Sequence, residues 1–285
     1  MCIRDRDNGV SSIWKKGVAT MDKRPIGIMD SGLGGLSVIR IMNQQLPHEK
    51  LIFVGDQGHF PYGTRTQQDV CQLALNIGEF FKRQNVKMMI IACNTATAAA
   101  LSTLQQKMPF PVIGMIAPGA KGALQQEHHD SVGVIGTAST IKNHAYEKAL
   151  HQLDPDVLVV EKAAQPLVSI VEHGQTGTSL AKQTVDEQLA VFDQQPVETL
   201  ILGCTHFPFL AAEIQQKLGK KVTLVDPAKE AVNSAEKWLI SHDACNDAAL
   251  LPQSQLYSTG DVKVLESGAN QWLSNSNYTC AHLEL

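Results

Sequence analysis

Eight short apolar runs, separated by longer stretches of helical period, constrain this chain more than any other feature. The runs fall at 26–29, 51–54, 88–92, 112–116, 132–135, 157–160, 200–202 and 222–225. A strand that is apolar along its whole length, with no in–out alternation, is covered on both faces. That is the pattern of parallel strands with helices packed on either side. The stretches between them supply those helices. Over 69–85, Val70, Leu73, Ala74, Ile77, Phe80 and Phe81 keep the i, i+3, i+4, i+7 spacing of one buried helix face. The expectation is an α/β fold with doubly wound, mainly parallel sheets.

The pattern also runs twice. Gly27-Ile28-Met29-Asp30-Ser31 is echoed by Val134-Ile135-Gly136-Thr137. Met89-Ile90-Ile91-Ala92-Cys93-Asn94-Thr95 is echoed by Leu200-Ile201-Leu202-Gly203-Cys204-Thr205-His206. Ser31 and Cys93 are 62 residues apart, Thr137 and Cys204 are 67. Two similar α/β units would follow, each carrying a cysteine at the same topological point. Open α/β sheets bind ligands beyond the carboxyl ends of their strands, so two such ends facing each other make one cleft.

Composition narrows the function classes. The 285 residues are 44% hydrophobic, enough for full cores, and 24 basic against 28 acidic side chains give a net charge of −4. A general nucleic-acid binder would instead carry a basic stripe. The longest apolar runs, 88–93 and 199–204, fall far short of the ~20 residues of a membrane helix. Lys15 and Lys16 lead into no apolar h-region, so no secretory signal is read. The six cysteines, Cys2, Cys71, Cys93, Cys204, Cys245 and Cys280, include no CxxC pair. Reduced thiols and a cytoplasmic location are expected. Residues 1–24 show no apolar period and read as an N-terminal extension outside the fold, with Met21 just ahead of the first strand.

Cys93 and Cys204 each end an apolar strand and precede a helical pattern, with Pro208 suited to a first helical turn. A thiol at a helix N-terminus faces the positive end of the dipole and free N–H groups, which lowers its pKa. His206, two residues beyond Cys204, can accept or supply a proton. The bland alternative is a buried cysteine acting as a small hydrophobe. It is adopted for Cys71, inside a predicted helix, and no role is assigned to Cys2, Cys245 or Cys280. A zinc site built from Cys93, Cys204 and His206 lacks a fourth ligand and close ligand pairs. Two acid/base thiols on opposite sides of one cleft suit the inversion of a carbon stereocentre. One takes the Cα proton from one face and the other returns a proton to the opposite face, while fixed donors hold the charge that develops.

The turn Asp30-Ser31-Gly32-Leu33-Gly34-Gly35-Leu36 follows the first strand and opens a helix, so its N–H groups suit an anion. It is not GxGxxG. Asp56, at the end of the second strand, nevertheless stands where a dinucleotide fold carries its ribose-binding acid. From the residues alone, a nicotinamide-dependent oxidoreductase therefore stays open. Asp30 reads either as a helix N-cap or as a group that tunes Cys93 or holds a substrate ammonium.

Six ordered motifs decide among these. They are Asp30-Ser31-Gly32-x-Gly34-Gly35, Pro61-Tyr62-Gly63, Ala92-Cys93-Asn94-Thr95-Ala96, Ile113-Gly114-x-Ile116-x-Pro118-Gly119-Ala120, Gly133-Val134-Ile135-Gly136-Thr137 and Gly203-Cys204-Thr205-His206-Phe207-Pro208. Together they closely resemble the glutamate racemases, cofactor-independent members of the aspartate/glutamate racemase superfamily. The match runs from about Pro25 to Asp226 and fades to Tyr257-Ser258-Thr259-Gly260-Asp261.

The resemblance implies two pseudo-symmetric domains, 25–117 and 118–225, with the active site between them and 226–285 returning to the first. It implies interconversion of L- and D-glutamate, with D-glutamate feeding peptidoglycan synthesis, no cofactor and no metal, and a homodimer. It makes Cys93 and Cys204 the proton carriers, with Asp30 and His206 assisting. Asp30, Ser31, Tyr62, Gly63, Asn94, Thr95, Thr205 and His206 would line the substrate site. Glu172 matches a family glutamate near the second cysteine and reads equally as a solvated helix acid. Within the superfamily, an aspartate racemase or a related decarboxylase or isomerase is the alternative. Three departures stand out. Gly55-Asp56-Gln57-Gly58-His59-Phe60 replaces the usual Gly-Asp-Thr-Ala-Arg, Gln165 stands where the family often has cysteine, and Pro227-Ala228 follows Asp226 in place of Ser-Gly.

Overall fold

A computed structural model describes residues 21–247, 250–273 and 277–285; the expectation for residues 1–20 lies outside them. Among the described residues, ten strands form two sheets in which all pairings are parallel. The first sheet is built from β1 (Ile26–Asp30), β2 (Leu51–Gly55), β3 (Met88–Ile91) and β4 (Val112–Ile113). The second contains β5 (Ser131–Gly136), β6 (Leu158–Ala163), β7 (Thr199–Gly203) and β8 (Thr223–Val225). Two late strands, β9 (Ser254–Ser258) and β10 (Tyr278–His282), extend the first sheet, giving the orders β10-β9-β2-β1-β3-β4 and β6-β5-β7-β8.

The two orders superimpose as β2-β1-β3-β4 on β6-β5-β7-β8, which is the internal repeat in structural form. In each sheet the chain winds one way from the first strand and then back across it. The switch point therefore lies between β1 and β3, and again between β5 and β7. A crevice opens there beyond the strand ends. Cys93 stands at one such crevice and Cys204 at the other.

The uniform apolar runs are explained by burial. Every residue of β1, β2, β3 and β7 is buried, and each sheet has an apolar cluster on both faces. The run at 112–116 splits, because its last residue opens the helix Ile116–Leu124. The run at 157–160 shifts to Leu158–Ala163, an edge strand with half-exposed side chains. The helix expected over 69–85 is Gln67–Arg83. Thr66 caps it by accepting from the Asp69 N–H at 3.2 Å, and Lys82 and Arg83 face its negative end. Val70, Ala74, Ile77, Phe80 and Phe81 are buried as the spacing requires, while Leu73 is half-buried.

A buried ion pair ties the chain's flanks to the first sheet. Lys87 Nζ lies 2.6 Å from Glu49 Oε2 and donates to the carbonyls of Asp22 at 2.9 Å and Ala244 at 2.7 Å. Removing one partner of such a pair costs about 3–5 kcal/mol, because the other charge stays buried alone.

Candidate active site

The two thiols come from different sheets and reach one cavity. Cys93 follows β3 and is the N-cap of the helix Asn94–Lys107. Its Sγ accepts from the Ala96 N–H at 3.4 Å and lies 3.6 Å from Ser31 Oγ. Cys204 follows β7. The chain then makes a single 3-10 turn, Phe207–Leu210, before the helix Ala211–Leu218, so Cys204 caps no α-helix, contrary to the sequence expectation. Pro208 falls in that 3-10 turn. Both sulfurs belong to residues only 6% exposed.

The sequence argument also expects a lowered pKa for both thiols, and for Cys93 the direction is the reverse. Burial, followed by the negative charge of Asp30, pushes it up to about 12, against the weaker pull of the Ala96 N–H and Ser31. The helix end is present, but a sealed pocket with a carboxylate behind the sulfur outweighs it.

On the other side, His206 Nδ1 lies 3.4 Å from Cys204 Sγ, and its Nε2 bonds the Glu172 carboxylate. Burial alone would lower the imidazole pKa. The charges and hydrogen bonds of Cys204 and Glu172 outweigh it and hold His206 well above its ordinary value. Glu172, the last residue of the helix Gln165–Glu172, is therefore no solvated acid. Its side chain is 16% exposed and orients the imidazole, completing a sulfur–imidazole–carboxylate series.

Asp30 is fully buried behind this cavity. Oδ2 accepts from the Gly32 N–H at 3.1 Å, and Oδ1 accepts from Thr205 Oγ1 at 3.2 Å, a bond between the two halves. Burial raises its pKa, against the charge of His206 and the N–H groups of Gly32 and Gly35. Its negative charge also acts on Cys93 through space.

Ser31, Tyr62, Gly63, Asn94, Thr95, Thr205 and His206 line the cavity together with the two cysteines. Asn94 is held by the Tyr146 hydroxyl, which donates to its Oδ1 at 2.6 Å. Phe60, Thr137, Gln165 and Val168, which the six motifs do not place in the site, line it too. Thr137 had a signal, as the repeat partner of Ser31. Its Oγ1 lies 2.9 Å from Thr95 Oγ1 and 3.0 Å from Thr140 Oγ1, a hydroxyl chain between the halves.

The glycine turn serves packing between halves. A Cβ on Gly34 would fall 2.2 Å from Thr205 Oγ1, and one on Gly63 would fall 2.7 Å from Gln165 Oε1. Nor does Asp56 offer a carboxylate to a ribose. It is fully buried and takes the Tyr62 hydroxyl at 2.5 Å, the Thr259 hydroxyl at 2.6 Å and His59 Nδ1 at 2.9 Å. It fastens the Pro61-Tyr62-Gly63 segment to the end of β9. The two features behind the nicotinamide reading thus have other employment.

Comparison with known proteins agrees with this geometry. Residues 26–235 match the Asp/Glu/hydantoin racemase family. The chain is 62% identical over 265 residues to a glutamate racemase of Limosilactobacillus reuteri, covering 93% of this chain and 98% of that one. A glutamate racemase isoform from Bacillus anthracis superimposes with a TM-score of 0.88 at 37% identity, over 92% of this chain and 98% of that one. A Francisella tularensis glutamate racemase, solved in complex with D-glutamate, gives 0.86 at 30% identity, over 93% and 98%. With the family model spanning β1 to β8 and both cysteines, the chain belongs to the Asp/Glu/hydantoin racemase family.

Proposed function

We propose that this protein interconverts L- and D-glutamate by proton transfer at Cα between Cys93 and Cys204, supplying D-glutamate for peptidoglycan synthesis. The observation that carries this reading is the single cavity lined by two thiols from opposite sheets, each with its own polar partners. The glutamate racemase relatives and the D-glutamate complex of one of them support the substrate.

In this reading the substrate Cα lies between the sulfurs. As one S–H bond forms at the expense of Cα–H, the other S–H bond breaks to give Cα–H on the opposite face. The free enzyme is left with the complementary proton distribution, and returns by exchange with water. Asn94, Thr95 and Thr205 grip the carboxylate whose charge grows as Cα loses its proton. His206 moves the proton load at Cys204, Glu172 keeps the imidazole charged, and Asp30 sets the field at Cys93. Tyr62 and Gly63 form the wall held in place by Asp56. The chemistry calls for no cofactor, and activity that survives exhaustive chelation is the expected result.

The same reading divides the chain into domains 25–117 and 118–225, with 226–285 returning to the first; the pairing of β9 on β2 supports that return. It includes a homodimer and a cytoplasmic location. Among the described residues no helix is long and apolar enough to cross a membrane. The test is circular dichroism of purified protein with each glutamate enantiomer. Loss of optical activity from both, but not from either aspartate enantiomer, is expected. Racemisation of aspartate at a comparable kcat/KM would replace glutamate as the substrate.

A further inference from the structure

One phenol touches the chain neighbours of both cysteines. Tyr146 lies in the first turn of the helix Ala145–Leu153 and is fully buried. Its ring packs on Gly203, the residue before Cys204, where a Cβ would fall 3.1 Å from Tyr146 Cε2. Its hydroxyl donates at 2.6 Å to Oδ1 of Asn94, the residue after Cys93. Neither the repeat nor the proton-transfer scheme assigns Tyr146 a part.

The direction of this bond decides what Asn94 can offer. A side-chain amide carries an oxygen that accepts and an NH2 group that donates. Among the described residues the phenol hydrogen has no acceptor but the Asn94 oxygen, and a buried hydroxyl left without one is costly. Burial, followed by the negative charges of Asp226 and Cys204, holds the phenol well above its ordinary pKa, so the hydrogen stays in place. Oδ1 and Nδ2 diverge from one carbon, so fixing the first fixes the second. Asn94 lines the cavity, and a substrate carboxylate there only accepts hydrogen bonds. An amide turned the other way would break the bond to Tyr146 and set oxygen against oxygen.

We propose that Tyr146 is a positioning residue: by holding Asn94 Oδ1, its hydroxyl keeps Nδ2 turned to the cavity as a donor to a substrate carboxylate. The assignment rests on reading the site as that of an amino-acid racemase, and it adds what sets the orientation of Asn94. A hydrogen bond to a charged group is worth roughly one to two orders of magnitude.

The test is a double-mutant cycle, read as kcat/KM for glutamate in the circular dichroism assay of racemisation. Tyr146→Phe removes only the hydroxyl, and Asn94→Ala removes the amide it holds. Asn94→Ala should lose about tenfold to 10²-fold. Tyr146→Phe should lose about fivefold or more, because its amide is free to turn. In the Asn94→Ala background, Tyr146→Phe should cost less than about twofold more. A role confined to packing would leave the two losses multiplying. Asn94→Asp, assayed at pH 8, far above the carboxyl range, puts an acceptor-only group of the same shape in place of the amide. It should fall to the level of Asn94→Ala or below. Wild-type racemisation of glutamate checks the underlying reading separately. Its absence would remove that reading and the assignment together; with wild type active, the variants decide the assignment alone. Multiplying losses, an unchanged kcat/KM in Tyr146→Phe, an Asn94→Asp more active than Asn94→Ala, or a Tyr146→Phe chain that does not fold would each overturn the assignment.

Discussion

The Cys93 and Cys204 half-sites stand at equivalent switch points of two sheets with the same strand order, yet they are charged in opposite ways. Cys93 has a helix N–H, a serine hydroxyl and a buried carboxylate behind it, and burial with that carboxylate keeps its proton on. Cys204 has a charged imidazole backed by a glutamate. The repeat fixes where the sulfurs stand. Contacts outside the repeat decide what surrounds them. A two-base racemase needs that inequality, since one group must give a proton as the other takes one.

The largest effects should come from the sulfurs themselves. Cys93→Ser and Cys204→Ser should each lower racemisation at least ~10³-fold, because a hydroxyl is a far weaker base and each face of Cα needs its own group. Cys71→Ser, in the helix Gln67–Arg83, should stay near wild type in the circular dichroism assay of racemisation. Next comes Gly34→Ala. Its Cβ would meet Thr205 Oγ1 at 2.2 Å and push the halves apart. Misplacing the reacting groups by about 1 Å costs about 10²-fold, so kcat should fall by that order while far-UV circular dichroism is retained.

The sequence made much of this legible and concealed the rest for physical reasons. Strands buried on both faces must be apolar throughout, so β1, β2, β3 and β7 could be read directly. A cysteine at the end of such a strand is visible for the same reason. The partners of Cys204 were only half visible. His206 is two residues away, but Glu172 reaches the imidazole across 34 residues of chain. Its sequence context alone cannot separate a site acid from a solvated one. The raised pKa of Cys93 was hidden because it depends on burial and on Asp30, neither of which is local. Gln165 could be noticed only as a departure from the family pattern. Tyr146, whose hydroxyl meets Asn94 across 52 residues of chain, leaves no local signal.

Smaller, directional effects separate the half-sites. His206→Asn should slow both directions by about tenfold to 10²-fold, with the larger kcat loss in the direction where Cys204 begins as the base. Asp30→Asn should show the opposite bias. The equilibrium between enantiomers stays at unity, so each bias in kcat must be matched in KM. Equal kcat losses in both directions for both variants would reduce these residues to shaping the site. Glu172→Gln, acting through His206, should cost about tenfold and share the His206 bias.

Stability against pH sharpens the same contrast with the smallest signals. An acid whose folded pKa lies above its unfolded value costs nothing below the unfolded value and destabilises above it. Asp30, raised from 3.8, should therefore cost stability at neutral pH, and Asp30→Asn should melt at or above the wild-type temperature while losing activity. Cys93, raised from 9.0 to about 12, should add to the loss of stability across that alkaline window. Cys93→Ser should flatten the fall in melting temperature there.

The most direct test of two unequal half-sites acting on opposite faces is the fate of the Cα hydrogen in D2O. Each glutamate enantiomer is converted to a few per cent, and substrate and product are separated and analysed by mass spectrometry. The account predicts deuterium at Cα of the product and protium in the unconverted substrate, from both starting enantiomers. Deuterium entering unconverted substrate as fast as product would mean that one group serves both faces, and would contradict it.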